Sequence, residues 1–129
     1  REQGYFGYMN IDSILTQDGE VLFTEVNGRM GDCTHLHYWA RELIGKNYLR
    51  STVMLNQNYL TPGKSFKTVL TELEDNGLHF DHKRKKGVVL LIDDTERTGV
   101  IEYLVFAPTW EEAKKIESGA LSIIDSGNG

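Results

Sequence analysis

Apolar residues recur along this chain at more than one spacing, and the changes of spacing mark its elements. Phe6 to Thr16 and Glu20 to Asn27 suit β-strands, and Gln17-Asp18-Gly19 between them is a hairpin signal. Leu36, Trp39, Ala40 and Leu43 then fall at i, i+3, i+4 and i+7, which predicts an amphipathic helix starting at Asp32 or Thr34 and stopping at Gly45. Tyr48 to Leu55 is apolar without a clear period and fits strand and helix equally. Leu60-Thr61-Pro62-Gly63 predicts a turn. Phe66, Val69, Leu70 and Leu73 repeat the helical spacing between a Ser65 cap and an Asn76-Gly77 stop. Val88 to Ile92 and Val100 to Phe106 are β-branched-rich and joined by the polar stretch from Asp93 to Gly99, which predicts a second hairpin. Thr109-Trp110-Glu111-Glu112 has the form of a capping box and opens a third helix with Trp110, Ala113 and Ile116 on one face. Strand pairs interleaved with helices, without regular βαβ spacing, predict an α+β domain with a mainly antiparallel sheet.

The first hairpin carries the candidate chemistry. If it closes through a two-residue Asp18-Gly19 turn, Gln17 faces Glu20, and counting back sets Asp12 opposite Glu25 and Asn10 opposite Asn27. Period-two alternation then places these four side chains on one face and Met9, Ile11, Leu15, Leu22 and Val26 on the other. Directly opposed carboxylates repel, with Cβ atoms about 5 Å apart. A hard cation such as Mg²⁺ resolves the conflict, because it takes carboxylate and amide oxygens and shares its other positions with water and phosphate oxygens. Asp12, Glu25 and Asn27 are therefore candidate metal ligands, or else ordinary exposed residues of a polar face. A three-residue loop with Gly19 in a bulge would pair Thr16 with Glu20 instead and send Asp12 and Glu25 to opposite faces. That register breaks the shared apolar face, so the first is preferred.

Composition narrows the setting. With 129 residues, 40% of them hydrophobic, the chain can bury one core, and we expect a single domain over residues 1–124. The apolar-poor end at 125–129 is expected to be a disordered tail. A formal charge of −5 argues against nucleic-acid and anionic-membrane surfaces. The basic run Lys83-Arg84-Lys85-Lys86 reads as a solvated turn. One cysteine, Cys33, forms no internal disulfide, which suits a reducing, cytoplasmic setting. No apolar run approaches the roughly 20 residues that span a bilayer.

Glu25-Val26-Asn27-Gly28-Arg29 resembles the Glu-x-Asn-x-Arg strand of the ATP-grasp superfamily, with Asp12 on the preceding strand where many such enzymes place another acidic metal ligand. The longer stretch from Glu25 to His35 is similar to peptide-forming ligases related to the pheganomycin enzyme. The likeness covers residues 4 to about 45, and Gly87 to Ile116 bears a faint likeness to the same branch. The resemblance implies the C-terminal lobe of an ATP-grasp carboxylate–amine ligase. In that reaction a carboxylate attacks the γ-phosphate of ATP and an amine displaces phosphate from the acyl phosphate. It further implies that Asp12, Glu25 and Asn27 hold Mg²⁺ or Mn²⁺ against the nucleotide. Arg29 would pair with an acyl-phosphate or carboxylate oxygen as the catalytic residue. Gly31, Thr34 and His35 would receive a substrate carboxylate or phosphate at a helix start, or serve as a plain cap and a locally packed residue. ATP and small-molecule or peptide carboxylate and amine substrates would be the partners.

The nucleotide-contacting lysines and the glycine-rich loop of that superfamily have no counterpart in the sequence. A missing N-terminal portion is therefore expected, the chain alone is expected to be inactive, and an exposed sheet edge would favour a homodimer. The alternative is a non-catalytic protein-interaction domain retaining the hairpin. A zinc site from Cys33, His35, His37, His79 and His82 is disfavoured by spacing, and a Cys33 nucleophile with His35 lacks an orienting third group.

Overall fold

The computed structural model describes residues 4, 6–31, 34–60 and 63–126. Its elements run β1 (Asn10–Leu15), β2 (Val21–Asn27), α1 (Thr34–Leu43), α2 (Tyr48–Ser51), β3 (Val53–Leu60), α3 (Phe66–Asp75), β4 (Gly87–Asp94), β5 (Val100–Ala107) and α4 (Trp110–Asp125). All strand pairs within the two sheets, β1-β2 and β3-β5-β4, are antiparallel. The expected α+β class is the observed one. Contacts divide the chain into two compact units, Arg1–Glu42 and Leu43–Gly129.

The second unit holds the main core. Ile101, Tyr103, Val105 and Ala107 alternate along β5 and join Val69 and Leu73 of α3 and Ala113, Ala120 and Ile124 of α4 in one buried cluster. The intervening Glu102, Leu104 and Phe106 are buried too, with Phe80 stacked edge-on against Phe106 at 5.6 Å. Burial on both faces is why Val100–Ala107 reads as a nearly continuous apolar run. Glu102 is the one buried charged residue among those described, and its Oε1 accepts from Asn56 Nδ2 at 2.9 Å.

The periodic signals held where a cap or a glycine reinforced them. Ser65 Oγ accepts from Thr68 N at the start of α3, and Gly45 and Gly77 adopt positive φ after α1 and α3. Thr109 Oγ1 accepts from Glu112 N at 3.3 Å, but the Glu112 carboxylate pairs with Lys86, so only half of the expected capping box forms. Trp110, expected on one face with Ala113 and Ile116, is not buried with them. It is 56% exposed, with Lys114 Nζ 5.5 Å from its ring centre. The ambiguous stretch after Tyr48 divides into a single helical turn and a strand, because Tyr48 is buried while β3 pairs along its whole length with β5. Of the predicted turn after Leu60, Thr61 and Pro62 lie outside the described residues.

Helix α4 continues through Asp125, whose Oδ2 accepts from Tyr59 Oη at 3.2 Å, and Ser126 Oγ accepts from Lys64 Nζ at 2.8 Å. Order therefore extends into the segment expected to be a tail, and residues 127–129 lie outside the described ones. No helix among the described residues is long and apolar enough to cross a membrane.

Candidate functional site

The hairpin turn differs from the expected one. Thr16 N donates to Glu20 O at 2.9 Å and Gly19 N to Thr16 O at 3.1 Å, while Gly19 sits at φ +84°. This is the three-residue loop with a glycine in the left-handed region, a geometry matched to the strand twist. Near the turn the register is accordingly Ser13 opposite Phe23, Ile14 opposite Leu22 and Leu15 opposite Val21. An irregularity between Asp12 and Ser13 then takes up Thr24 as an extra residue on β2. Beyond it the pairs are Asp12 with Glu25, Ile11 with Val26 and Asn10 with Asn27. The site pairs thus match the expectation although the turn inferred for them does not: a bulge cancels the shift that the longer loop introduces.

The same cancellation redistributes the apolar residues. Leu22, expected on the apolar face, pairs with Ile14 in line with Asp12 and Asn10, while Val21 and Phe23 pair with Leu15 and Ser13 on the face that carries Ile11 and Val26. Apolar side chains therefore stand on both faces, and all of them are exposed: Leu15 is 71% and Phe23 72% accessible.

On the polar face, each amide turns toward the carboxylate of its own strand. Asn10 Nδ2 donates to Asp12 Oδ1 at 3.1 Å, and Asn27 Nδ2 donates to Glu25 Oε1 at 2.9 Å. With Nδ2 so engaged, the Asn27 carbonyl oxygen is the atom left for a cation. Two opposed carboxylates and an amide oxygen form an all-oxygen donor set, which fits a hard divalent cation. Among the described residues, no three His, Cys, Asp or Glu side chains converge. Cys33 and Asp32 lie outside them.

A cavity of about 570 Å³ opens beside this face. Its lining includes Asn10, Glu25, Asn27, Arg29, Gly31 and Thr34, together with Tyr8 and His37. Asp12 faces Glu25 across the hairpin but does not itself line the cavity. Arg29 lines it while donating from Nη1 to Met30 O at 3.3 Å.

The helix start is more committed than expected. Thr34 N donates to Gly31 O, and Gly31 N donates to Thr34 Oγ1, both at 3.0 Å. These reciprocal bonds occupy two amides that an anion would otherwise use. A Cβ on Gly31 would meet only Asn10 Cβ, at 3.9 Å, so packing there does not demand glycine. His35 is exposed and absent from the cavity lining, whereas His37 is half-buried with its ring edge-on to Tyr38 at 5.8 Å. Helical spacing carries the signal that was missed, since i and i+3 share a face and Thr34 therefore goes with His37 rather than with His35. Tyr8 was missed because nothing local marks it. Its hydroxyl lies 2.8 Å from that of Tyr38, and this hydrogen bond, with burial, raises the Tyr38 pKa.

The profile of a family described as the PGM1 C-terminal domain matches residues 68–120. The matched stretch is less than half of the chain, lies wholly in the second unit, and contains Gly87 to Ile116 but none of the hairpin. No curated protein matches the chain.

Proposed function

We propose that this chain supplies the magnesium-binding hairpin of an ATP-dependent carboxylate–amine ligase of the ATP-grasp type, in its peptide-forming branch. The observation that carries the reading is the pairing of Asp12 with Glu25 and of Asn10 with Asn27 on one face of a hairpin that continues into Arg29 and a cavity. Opposed carboxylates destabilise a strand pair unless a cation compensates them. A profile match to a C-terminal domain supports placing the chain toward the C-terminal side of such a ligase.

When bound, Mg²⁺ would supply charge neutralisation at the phosphate oxygens, which is most of what phosphoryl transfer asks of a protein. Asp12, Glu25 and the Asn27 carbonyl would hold it. Arg29 would bind a carboxylate or acyl-phosphate oxygen through its planar fork, after releasing its weak bond to the Met30 carbonyl. The lysines and glycine-rich loop that close over the nucleotide would come from another lobe, and the work would take place in the cytoplasm, where a lone thiol stays reduced.

In the full-length ligase, Glu25→Ala and Asn27→Ala should each lower amide formation about a hundredfold or more, the scale of a several-kcal/mol electrostatic contribution. The melting temperature should move little, because Glu25 is exposed, Asn27 is half-buried, and neither belongs to the buried core. Arg29→Ala should lower ligation while leaving Mg-ATP binding largely intact. Ligation by Glu25→Ala at limiting Mg²⁺ that equals the parent would refute the metal assignment.

One observation favours a second reading, a protein-interaction hairpin without catalysis: Phe23, Leu15, Val21 and Val26 are all more than half exposed. Full-length protein that fails to release phosphate from ATP in the presence of any carboxylate, yet pulls down a partner through these residues, would decide for it.

A further inference from the structure

The second unit has a cavity of its own, of about 410 Å³, between α4 and the segment that links α3 to β4. That segment folds back on itself. Val88 N donates to Leu78 O, Phe80 N to Val88 O and Asp81 N to Lys86 O, so residues 78–88 form a tight loop with the basic run at its tip. Gly87 makes the return feasible: it lies at φ +125°, and a Cβ there would fall 2.6 Å from the His79 carbonyl oxygen.

Charge in this cavity is unevenly committed. Lys86 is paired with Glu112 of α4. Asp81 faces Arg84, but its Oδ1 already accepts from Lys83 N at 2.7 Å and Arg84 N at 3.1 Å, and the Arg84 guanidinium stands off at 3.6 Å with its side chain 74% exposed. Lys115, on the α4 side, has no ion pair among the described residues. Two cations, one on the loop and one on the helix, thus flank the cavity without a firmly held counter-charge. Between them the wall is apolar, formed by Leu78 and Ile116.

We propose that this cavity binds a small carboxylate bearing an apolar group. The Arg84 fork matches a carboxylate in two-point geometry, Lys115 adds a point charge from the opposite wall, and Leu78 with Ile116 takes the apolar part. Every lining residue, from Gly77 to Gly119, lies inside the stretch matched by the PGM1 C-terminal domain profile, whereas the hairpin site lies outside it. The proposal is therefore independent of the ligase reading.

The test is an amide-shift titration of the ¹⁵N-labelled chain with isovalerate, its neutral isostere isovaleramide, and inorganic phosphate, all at fixed ionic strength. Saturable shifts should appear with isovalerate and centre on Leu78, Arg84, Lys115 and Ile116. Isovaleramide and phosphate should each bind at least tenfold more weakly. Arg84→Gln with Lys115→Gln should weaken isovalerate at least tenfold, and because both side chains are exposed the spectrum should otherwise be that of the folded parent. Glu25→Gln should leave the titration unchanged. Equal binding of isovaleramide would reduce the site to an apolar hole, and equal binding of phosphate would reduce it to a general anion patch. Either result, or an isovalerate titration untouched by the double variant, would overturn the proposal.

Discussion

The two compact units of this chain divide stability from candidate chemistry. In Leu43–Gly129 a central strand is buried along both faces, flanked by β3 and β4, and shares its core with α3 and α4. In Arg1–Glu42 every β1 and β2 residue is exposed except the half-buried Asn27, and only Leu36 and Ala40 of the described residues are buried. A two-stranded ribbon is marginal in water unless something packs on it. The hairpin nevertheless positions four polar side chains to a definite register, through one loop glycine and one bulge. Such sites are drawn from the less stable end of a molecule, where side chains stay free for a ligand.

The sharpest way to break this contrast is to truncate one phenylalanine in each unit. Phe106→Ala should cost about 3–5 kcal/mol in urea unfolding, since it empties a fully buried position against Phe80. Phe23→Ala, at an exposed position, should stay within about 0.5 kcal/mol. Similar losses from both would show that the hairpin contributes to the stability of the whole on the scale of the core.

A smaller effect, of opposite sign, is expected at Tyr103. Its hydroxyl is buried and makes no hydrogen bond by distance and angle. Burial, with the nearby Glu117 carboxylate as a lesser cause, pushes its pKa up to about 12. The Glu117 Oε2 already accepts from Lys114 Nζ at 2.6 Å. An unsatisfied buried donor costs about 1–3 kcal/mol. Tyr103→Phe should therefore leave stability unchanged or raise it by about 1 kcal/mol, as urea midpoints would show. A clear loss would mean that the hydroxyl has a partner in solution.

The smallest effect is local and set by pH. Backbone donors from Arg84 and Lys83 hold the Asp81 carboxyl below its ordinary range, and the Thr98 hydroxyl with the Arg97 guanidinium does the same for Asp94. For a carboxyl with a lowered folded pKa, the stabilisation is present above the ordinary value of about 3.9 and is lost as pH falls through the folded value. Acidification below about pH 4 should thus loosen the loops at 81–86 and 94–99 before the core opens, as amide exchange would detect. Loops that keep full protection at pH 2 would contradict the assignment.

Much of the second unit was legible because its signals are redundant. Ser65, Thr109 and Gly77 each mark an end of a helix that the apolar spacing marks independently. The stretch from Tyr48 to Leu55 was not legible, since a single helical turn and a strand pairing with a distant β5 leave no local period. The candidate site was legible in part. Glu25 and Asn27 were marked by type and spacing and Asp12 by register, yet the register rested on a turn that does not form. A bulge at Thr24 depends on how the finished ladder closes, and no residue there signals it. Tyr8 bonds to Tyr38, a contact between segments distant in sequence that no local pattern marks, and His37 rather than His35 shares the helical face of Thr34.

Mn²⁺, a paramagnetic stand-in for Mg²⁺, titrated into the ¹⁵N-labelled chain would locate the cation. Amides around Asp12, Glu25 and Asn27 should broaden first, Mg²⁺ in excess should restore them, and Glu25→Gln should abolish the effect while leaving the remaining spectrum unchanged. Broadening centred instead on Asp93 and Asp94, or hairpin broadening that survives Glu25→Gln, would contradict the metal assignment.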